Sequence, residues 1–245
     1  MSVVLVRSGL RHDEAGARQD RPGPVLLVAG YGGSTGSLDA LGAALRTAGR
    51  EVEIVPPVGD NTGDLRVQAQ TLNRVARQAI DSGAPSVDVI GYSAGGVVAR
   101  IWAAELGGAA VARRVVTLGS PHHGTDIAGL AASLLTGACP TACRQLAPDS
   151  DVLAGLPETP AGPRWTSIWT ADDDLVLPPS SASLQGAVNI ELQQVCADSR
   201  VKHGDLPRDS LTVGLVERAL AGPTPPATAP PATDCASLRQ ASKRA

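Results

Sequence analysis

The chain has 245 residues, a formal net charge of −3 and a pI near 5.8. This balance rules out a nucleic-acid binder that works through a strongly basic face. Aromatic residues are 2% of the chain, with no phenylalanine, so there is no basis for base-stacking platforms either.

Residues 1–24 carry charge, Gly and Pro and read as a loose arm. No positive charge precedes the short apolar run Val3–Val6, so it does not read as a signal peptide; either export is absent or a leader precedes this chain. Val25–Ala29 is a continuous apolar run ending in glycines, the pattern of a buried parallel strand. Leu38, Leu41, Ala44 and Leu45 recur at helical spacing, and Gly49 closes that helix. Val52–Val55 predicts a second strand. Leu65, Leu72, Val75, Ala79 and Ile80 form one stripe of an amphipathic helix, with Arg66, Gln70, Arg74 and Arg77 on other faces. Val87–Ile90 predicts a third strand, followed by a helix through Val97, Ile101, Ala104 and Glu105. Val115–Leu118, Trp165–Trp169 and Val188–Leu192 predict three more strands, and Leu211–Leu220 the last helix.

Strand and helix alternate, which predicts an α/β fold: a mainly parallel sheet with helices on both faces. Residues 25–220 form that domain. Residues 121–163 are a long excursion, read as a small cap insertion, and residues 221–245 a proline-rich tail. Within the excursion, residues 127–143 carry no charge over 17 positions, the short edge of a membrane-spanning length. Ser133, Thr136, Gly137, Pro140 and Thr141 interrupt the stretch, so it reads as soluble.

The cysteines are Cys139, Cys143, Cys196 and Cys235. Four cysteines permit three pairings. The closeness of Cys139 and Cys143 around Pro140 favours a local bridge, which leaves Cys196 with Cys235; the alternative is free thiols. Paired C-x2-C knuckles are lacking, so no zinc site is expected.

Gly91-Tyr92-Ser93-Ala94-Gly95 lies between an apolar strand and a helix. A serine in G-x-S-x-G at such a turn stands at the end of a sheet, over the amides of a helix N-terminus. A serine hydroxyl needs a base to attack at neutral pH. Of the four histidines, His12 lies in the arm, and His122 and His123 follow the fourth strand. His203 follows the sixth, where the order serine, acid, histidine places the base. Asp172, Asp173 and Asp174 follow the fifth strand, and position leaves all three open as the acid. Gly30-Tyr31-Gly32-Gly33 follows the first strand and would let backbone amides approach an oxyanion, with a second donor from Ala94. The rival reading is a dinucleotide fingerprint, Gly30-x-Gly32-Gly33-x-x-Gly36, with Glu51 or Glu53 as its acid.

VLLVAGYGG, VIGYSAGG, TLGSPHHGT, TADDDLVLPP and VKHGDL, in this order, resemble the α/β-hydrolase superfamily, and within it the small secreted bacterial lipases and esterases, including actinobacterial ones. The resemblance spans Val25 to Leu220. It implies Asp173 as the acid, two residues before the pair Leu175-Val176, His203 as the base and Tyr31 as the loop oxyanion donor. It implies disulfides in the excursion and near the C-terminus, and an extracellular monomer. The expected reaction is hydrolysis of ester or lipid substrates through an acyl-enzyme, needing no metal or cofactor, with transient contact at a lipid interface. The excursion's Ile127, Leu130, Leu134, Leu135, Leu146, Leu153 and Leu156 would wall an acyl chain, Leu134 and Leu135 touching it; the alternative is a packed helical pair that adds to the core. An acyltransferase or thioesterase with the same triad, or a non-catalytic secreted binding protein on this fold, is the alternative. The chain departs from the family in having Ala29-Gly30 where His-Gly is common, which removes a side-chain hydrogen bond that helps hold the oxyanion loop.

Overall fold

The short apolar runs become strands because both faces of the sheet are covered. The computed structural model describes residues 20–126 and 139–241. Six strands, β1 (Val25–Val28), β2 (Val52–Ile54), β3 (Val87–Tyr92), β4 (Ala112–Leu118), β5 (Arg164–Trp169) and β6 (Val188–Glu191), form one sheet in the order β2-β1-β3-β4-β5-β6. Every pairing is parallel. Helices α1 (Gly36–Thr47), α2 (Leu65–Asp81) and α3 (Ala94–Glu105) alternate with the first strands. Alternation along β1 divides its side chains between two cores. Leu26 and Val28 pack in one core with Leu65 and Leu72 of α2 and Val97 and Ile101 of α3. Val25 and Leu27 pack in the other with Leu38, Leu41 and Leu45 of α1 and with Leu211 and Leu215 of α7 (Ser210–Leu220).

Strand β4 starts three residues before the apolar run that announces it, because Arg113 and Arg114 interrupt the pattern. Both are buried, each about 1% exposed. Arg113 donates from Nε to Asp88 Oδ1 at 2.9 Å, and Arg50 Nη2 to Asp88 Oδ2 at 2.6 Å. The second Arg113 contact to Asp88, through Nη2, closes a bidentate pair. Burial of these charges is tolerated because each has a partner.

In the excursion, two short helices are described, α4 (Thr141–Gln145) and α5 (Asp151–Ala154). Leu146, Leu153 and Leu156, expected to face an acyl chain, are buried in the core beside α2 and α3. Ile127, Leu130, Leu134 and Leu135 lie outside the described residues. Among the described residues no helix is long and apolar enough to cross a membrane.

A short helix α6 (Leu192–Val195) follows β6. The chain also continues past the expected last helix. The proline-rich stretch ends in a 3-10 turn, Ala232–Asp234, and a further helix, α8 (Cys235–Ala241). Too short to show a periodic stripe, α8 is held by tertiary contacts. Leu238 is buried against α7, where the missing Cβ of Gly214 lets the backbones meet: a Cβ there would lie 2.2 Å from the Leu238 carbonyl oxygen. The cysteines form two bridges, Cys139–Cys143 and Cys196–Cys235. Arg239 adds a paired contact to Asp198 at 2.9 Å. Cys196–Cys235 closes a separation of 39 residues, for which chain entropy gives about 4 kcal/mol. Replacing both cysteines by serine should lower the unfolding free energy by about that amount in urea denaturation. An unchanged midpoint would show that the bridge adds nothing.

Candidate active site

Parallel strands bring their carboxyl ends to one edge, and the strand order reverses between β1 and its neighbours β2 and β3. Such a reversal opens a crevice for ligands. Val28 of β1 is in register with Gly91 of β3, so Gly30 and Ser93 leave the edge side by side. A Cβ on Gly30 would lie 2.9 Å from the Ser93 Cβ.

Ser93 occupies a sharp elbow between β3 and α3, with φ 54° and ψ −127°. Such a backbone costs on the order of 1–3 kcal/mol and persists only where the surroundings enforce it. The enforcement is steric: a Cβ on Gly91 would lie 2.5 Å from Gly95 O, and one on Gly95 2.3 Å from Val28 O. The Ser93 amide donates to Leu118 O at 2.8 Å.

His203 begins a 3-10 turn, His203–Arg208, and is 2% exposed. Its Nε2 lies 3.0 Å from Ser93 Oγ and its Nδ1 2.8 Å from Asp173 Oδ2. Asp173 Oδ1 accepts from the amides of Leu175 at 2.9 Å and Val176 at 2.8 Å. With Asp173 accepting from Nδ1–H, Nε2 is free to accept the serine proton. The neighbouring carboxylates do other things. Asp174 is exposed and its Oδ1 accepts from the His203 amide at 3.3 Å, while Asp172 is half-buried and its amide donates to Thr170 Oγ1. The ring also rests on Gly119, which has φ 54°: a Cβ there would come within 3.2 Å of Cε1 and Nδ1.

The other described histidines stand apart. His123 reaches Glu158 at 2.9 Å and Ser181 O at 3.2 Å. His122 is buried, with Nε2 3.0 Å from Thr117 Oγ1. Burial, then the charge of Arg100, holds the His122 imidazole well below its usual range, so it stays neutral in the fold. The unfolded chain protonates this histidine below about pH 6.5 and the folded chain does not. Its contribution to stability therefore falls as pH drops through that value, by about 1.4 kcal/mol per pH unit at most. The unfolding free energy of His122→Gln minus that of the wild type should grow at that slope below pH 6.5, read by urea denaturation; a pH-independent difference would contradict it.

The Gly30–Gly33 loop turns back on itself, with Gly32 at φ 84° and Gly33 at φ 65°. Gly33 N donates to Gly30 O at 3.2 Å. Ala94 opens α3, where the first amides have no acceptor inside the helix. A side chain from outside the loop reaches it: Asn61 Nδ2 donates to Gly30 O at 3.4 Å. Asn61 is 4% exposed, has φ 54°, and accepts from Val58 N through Oδ1 at 2.8 Å. In sequence it looks like any turn asparagine, so nothing marks it. The Tyr31 hydroxyl is buried without a hydrogen-bond partner among the described residues, and burial followed by the nearby Asp60 raises its pKa. Glu53, a candidate acid for the dinucleotide reading, sits in the middle of β2 rather than at its carboxyl end. Among the described residues, Cys196, Asp198 and Cys235 are close enough to share a metal ion, but the disulfide consumes both sulfurs.

No protein-family model matches the chain, and no curated protein sequence does. Solved structures do. Aspergillus fumigatus lipase B superposes with TM-score 0.67 at 21% identity, over 86% of this chain and 55% of that one. The mature form of a Bacillus licheniformis lipase superposes with TM-score 0.63 at 16% identity, over 81% and 92%. An extracellular α/β-hydrolase from a Paenibacillus species gives TM-score 0.53 at 15% identity, over 81% and 99%. The chain thus spans about half the length of the fungal lipase. The order and direction of the strands and the superposition together give the chain the α/β-hydrolase fold.

Proposed function

We propose that the chain is a serine hydrolase that cleaves carboxylic esters, a lipase or carboxylesterase. The observation that carries this reading is the unbroken relay from Asp173 Oδ2 through His203 to Ser93 Oγ, with links of 2.8 and 3.0 Å. Ser93 attacks the ester carbonyl while His203 takes its proton. Asp173 holds the ring in the tautomer that can do so and stabilises the imidazolium. The amides of Tyr31 and Ala94 receive the oxyanion, with Asn61 holding the loop that presents the first of them. Collapse expels the alcohol, protonated by His203, and water, activated by the same histidine, then releases the acid. None of these steps draws on a metal.

The two disulfides, and an extracellular protein among those sharing the fold, support a working place outside the cell. The test is a panel of p-nitrophenyl esters from acetate to palmitate, with a triolein emulsion, using the whole chain. Turnover that Ser93→Ala abolishes is expected, and a rise with acyl length would place an apolar wall near the site. No turnover at any length would contradict the reading.

A further inference from the structure

Tyr92 fills the first variable position of G-x-S-x-G, where the elbow itself asks only for a side chain that fits. Its side chain packs against the core on one face of the sheet, and its phenol and its ring both meet His203. Its hydroxyl donates to the His203 carbonyl at 3.2 Å. Its ring centroid lies 5.2 Å from that of the imidazole, the planes tilted by 34°. The two residues are 111 positions apart, on β3 and in the turn after β6. They meet because the parallel sheet brings both chain segments to one edge.

We propose that Tyr92 is a positioning residue for His203, holding its backbone through the phenol and its ring through the aromatic face. The proposal rests on the reading of His203 as the base. A hydrogen bond on the carbonyl fixes where the turn starts, and so where Nε2 points. An aromatic face within about 6 Å attracts a cation, so this ring favours the imidazolium that forms when His203 takes the serine proton. The phenol is available as a donor at any working pH, because burial, then the Asp173 charge, raises its pKa. Charged groups around the pair are Asp173 on Nδ1, Asp174 on the His203 amide, and Asp205 and Arg208 in the same turn. All four are kept in the variants below.

Tyr92→Phe keeps the ring and removes the hydrogen bond; Tyr92→Leu removes both. Turnover should fall about three- to tenfold in the first and further in the second, with KM within twofold of wild type. The His203 ring is followed separately by NMR of the whole chain, in which four histidines leave little overlap. Its ring-proton resonances should keep the aromatic ring-current shift in Tyr92→Phe and lose it in Tyr92→Leu. Should Tyr92→Leu not fold, Tyr92→Met takes its place. Turnover of both variants within twofold of wild type, a loss carried wholly by KM, or His203 resonances unmoved on removing the ring would each overturn the proposal. A wild type without ester turnover, but with the expected resonance change, would instead sink the hydrolase reading and leave the contact standing.

Discussion

Ser93→Ala should fold like the wild type and lose ester turnover by about 10⁵- to 10⁶-fold. Folding is spared because alanine keeps the Cβ, so the elbow at φ 54° is no more strained than with serine. The lost hydroxyl leaves one hydrogen bond, to His203 Nε2, unmade. Chemistry is not spared, because neither other described histidine is placed to activate a second serine: His122 bonds Thr117, and His123 bonds Glu158. What rate remains would come from the oxyanion loop and from binding alone. Urea denaturation and p-nitrophenyl butyrate turnover check the two halves. Unchanged stability with turnover within a hundredfold of wild type would remove Ser93 from the role of nucleophile.

Asp173→Asn should cost about 10⁴ in turnover, and Asp172→Asn and Asp174→Asn less than tenfold. The reason is in the hydrogen bonds around the carboxylate. Oδ1 accepts from two amides, those of Leu175 and Val176. An asparagine keeps those bonds only by turning its carbonyl toward them, which points its NH2 group at His203 Nδ1. The ring must then accept at Nδ1 and carry its proton on Nε2, the tautomer that cannot take a proton from serine. Asp174→Asn still offers an oxygen to the His203 amide, so the turn keeps its anchor. A large loss in either neighbour with a small one in Asp173→Asn would mean that the relay read here is not the one at work.

Much of this was legible in the sequence, for physical reasons that differ from element to element. The strand cores could be read because burial on both faces demands unbroken apolar runs, as in Val25–Val28. The start of β4 could not, because Arg113 and Arg114 look like solvent-facing residues until Asp88, on the neighbouring strand, pairs with Arg113 and the Pro223 carbonyl receives Arg114. The elbow could be read because its glycines answer to local sterics. The choice among Asp172, Asp173 and Asp174 could not be made from position, since all three occupy one turn; the resemblance pointed to Asp173, and in the fold it is the Asp173 carboxylate that meets the imidazole. Asn61 and Tyr92 act across 31 and 111 residues, and no spacing rule reaches that far. Helix α8 was hidden for a related reason: a bridge to Cys196 and one buried leucine hold it, not a stripe of its own.

The claim on which the rest depends is that Ser93 forms a covalent bond with the acyl group during turnover. Diethyl p-nitrophenyl phosphate uses the same nucleophile and base: the serine oxygen attacks phosphorus, p-nitrophenolate leaves, and a stable diethylphosphoryl ester remains on the serine. After treatment of the whole chain, intact mass spectrometry should show one phosphoryl adduct, and peptide mapping should place it on Ser93. Asp173→Asn should take up the label far more slowly, and Ser93→Ala not at all. A labelled serine elsewhere, or an unlabelled wild type that still turns over esters, would contradict the account.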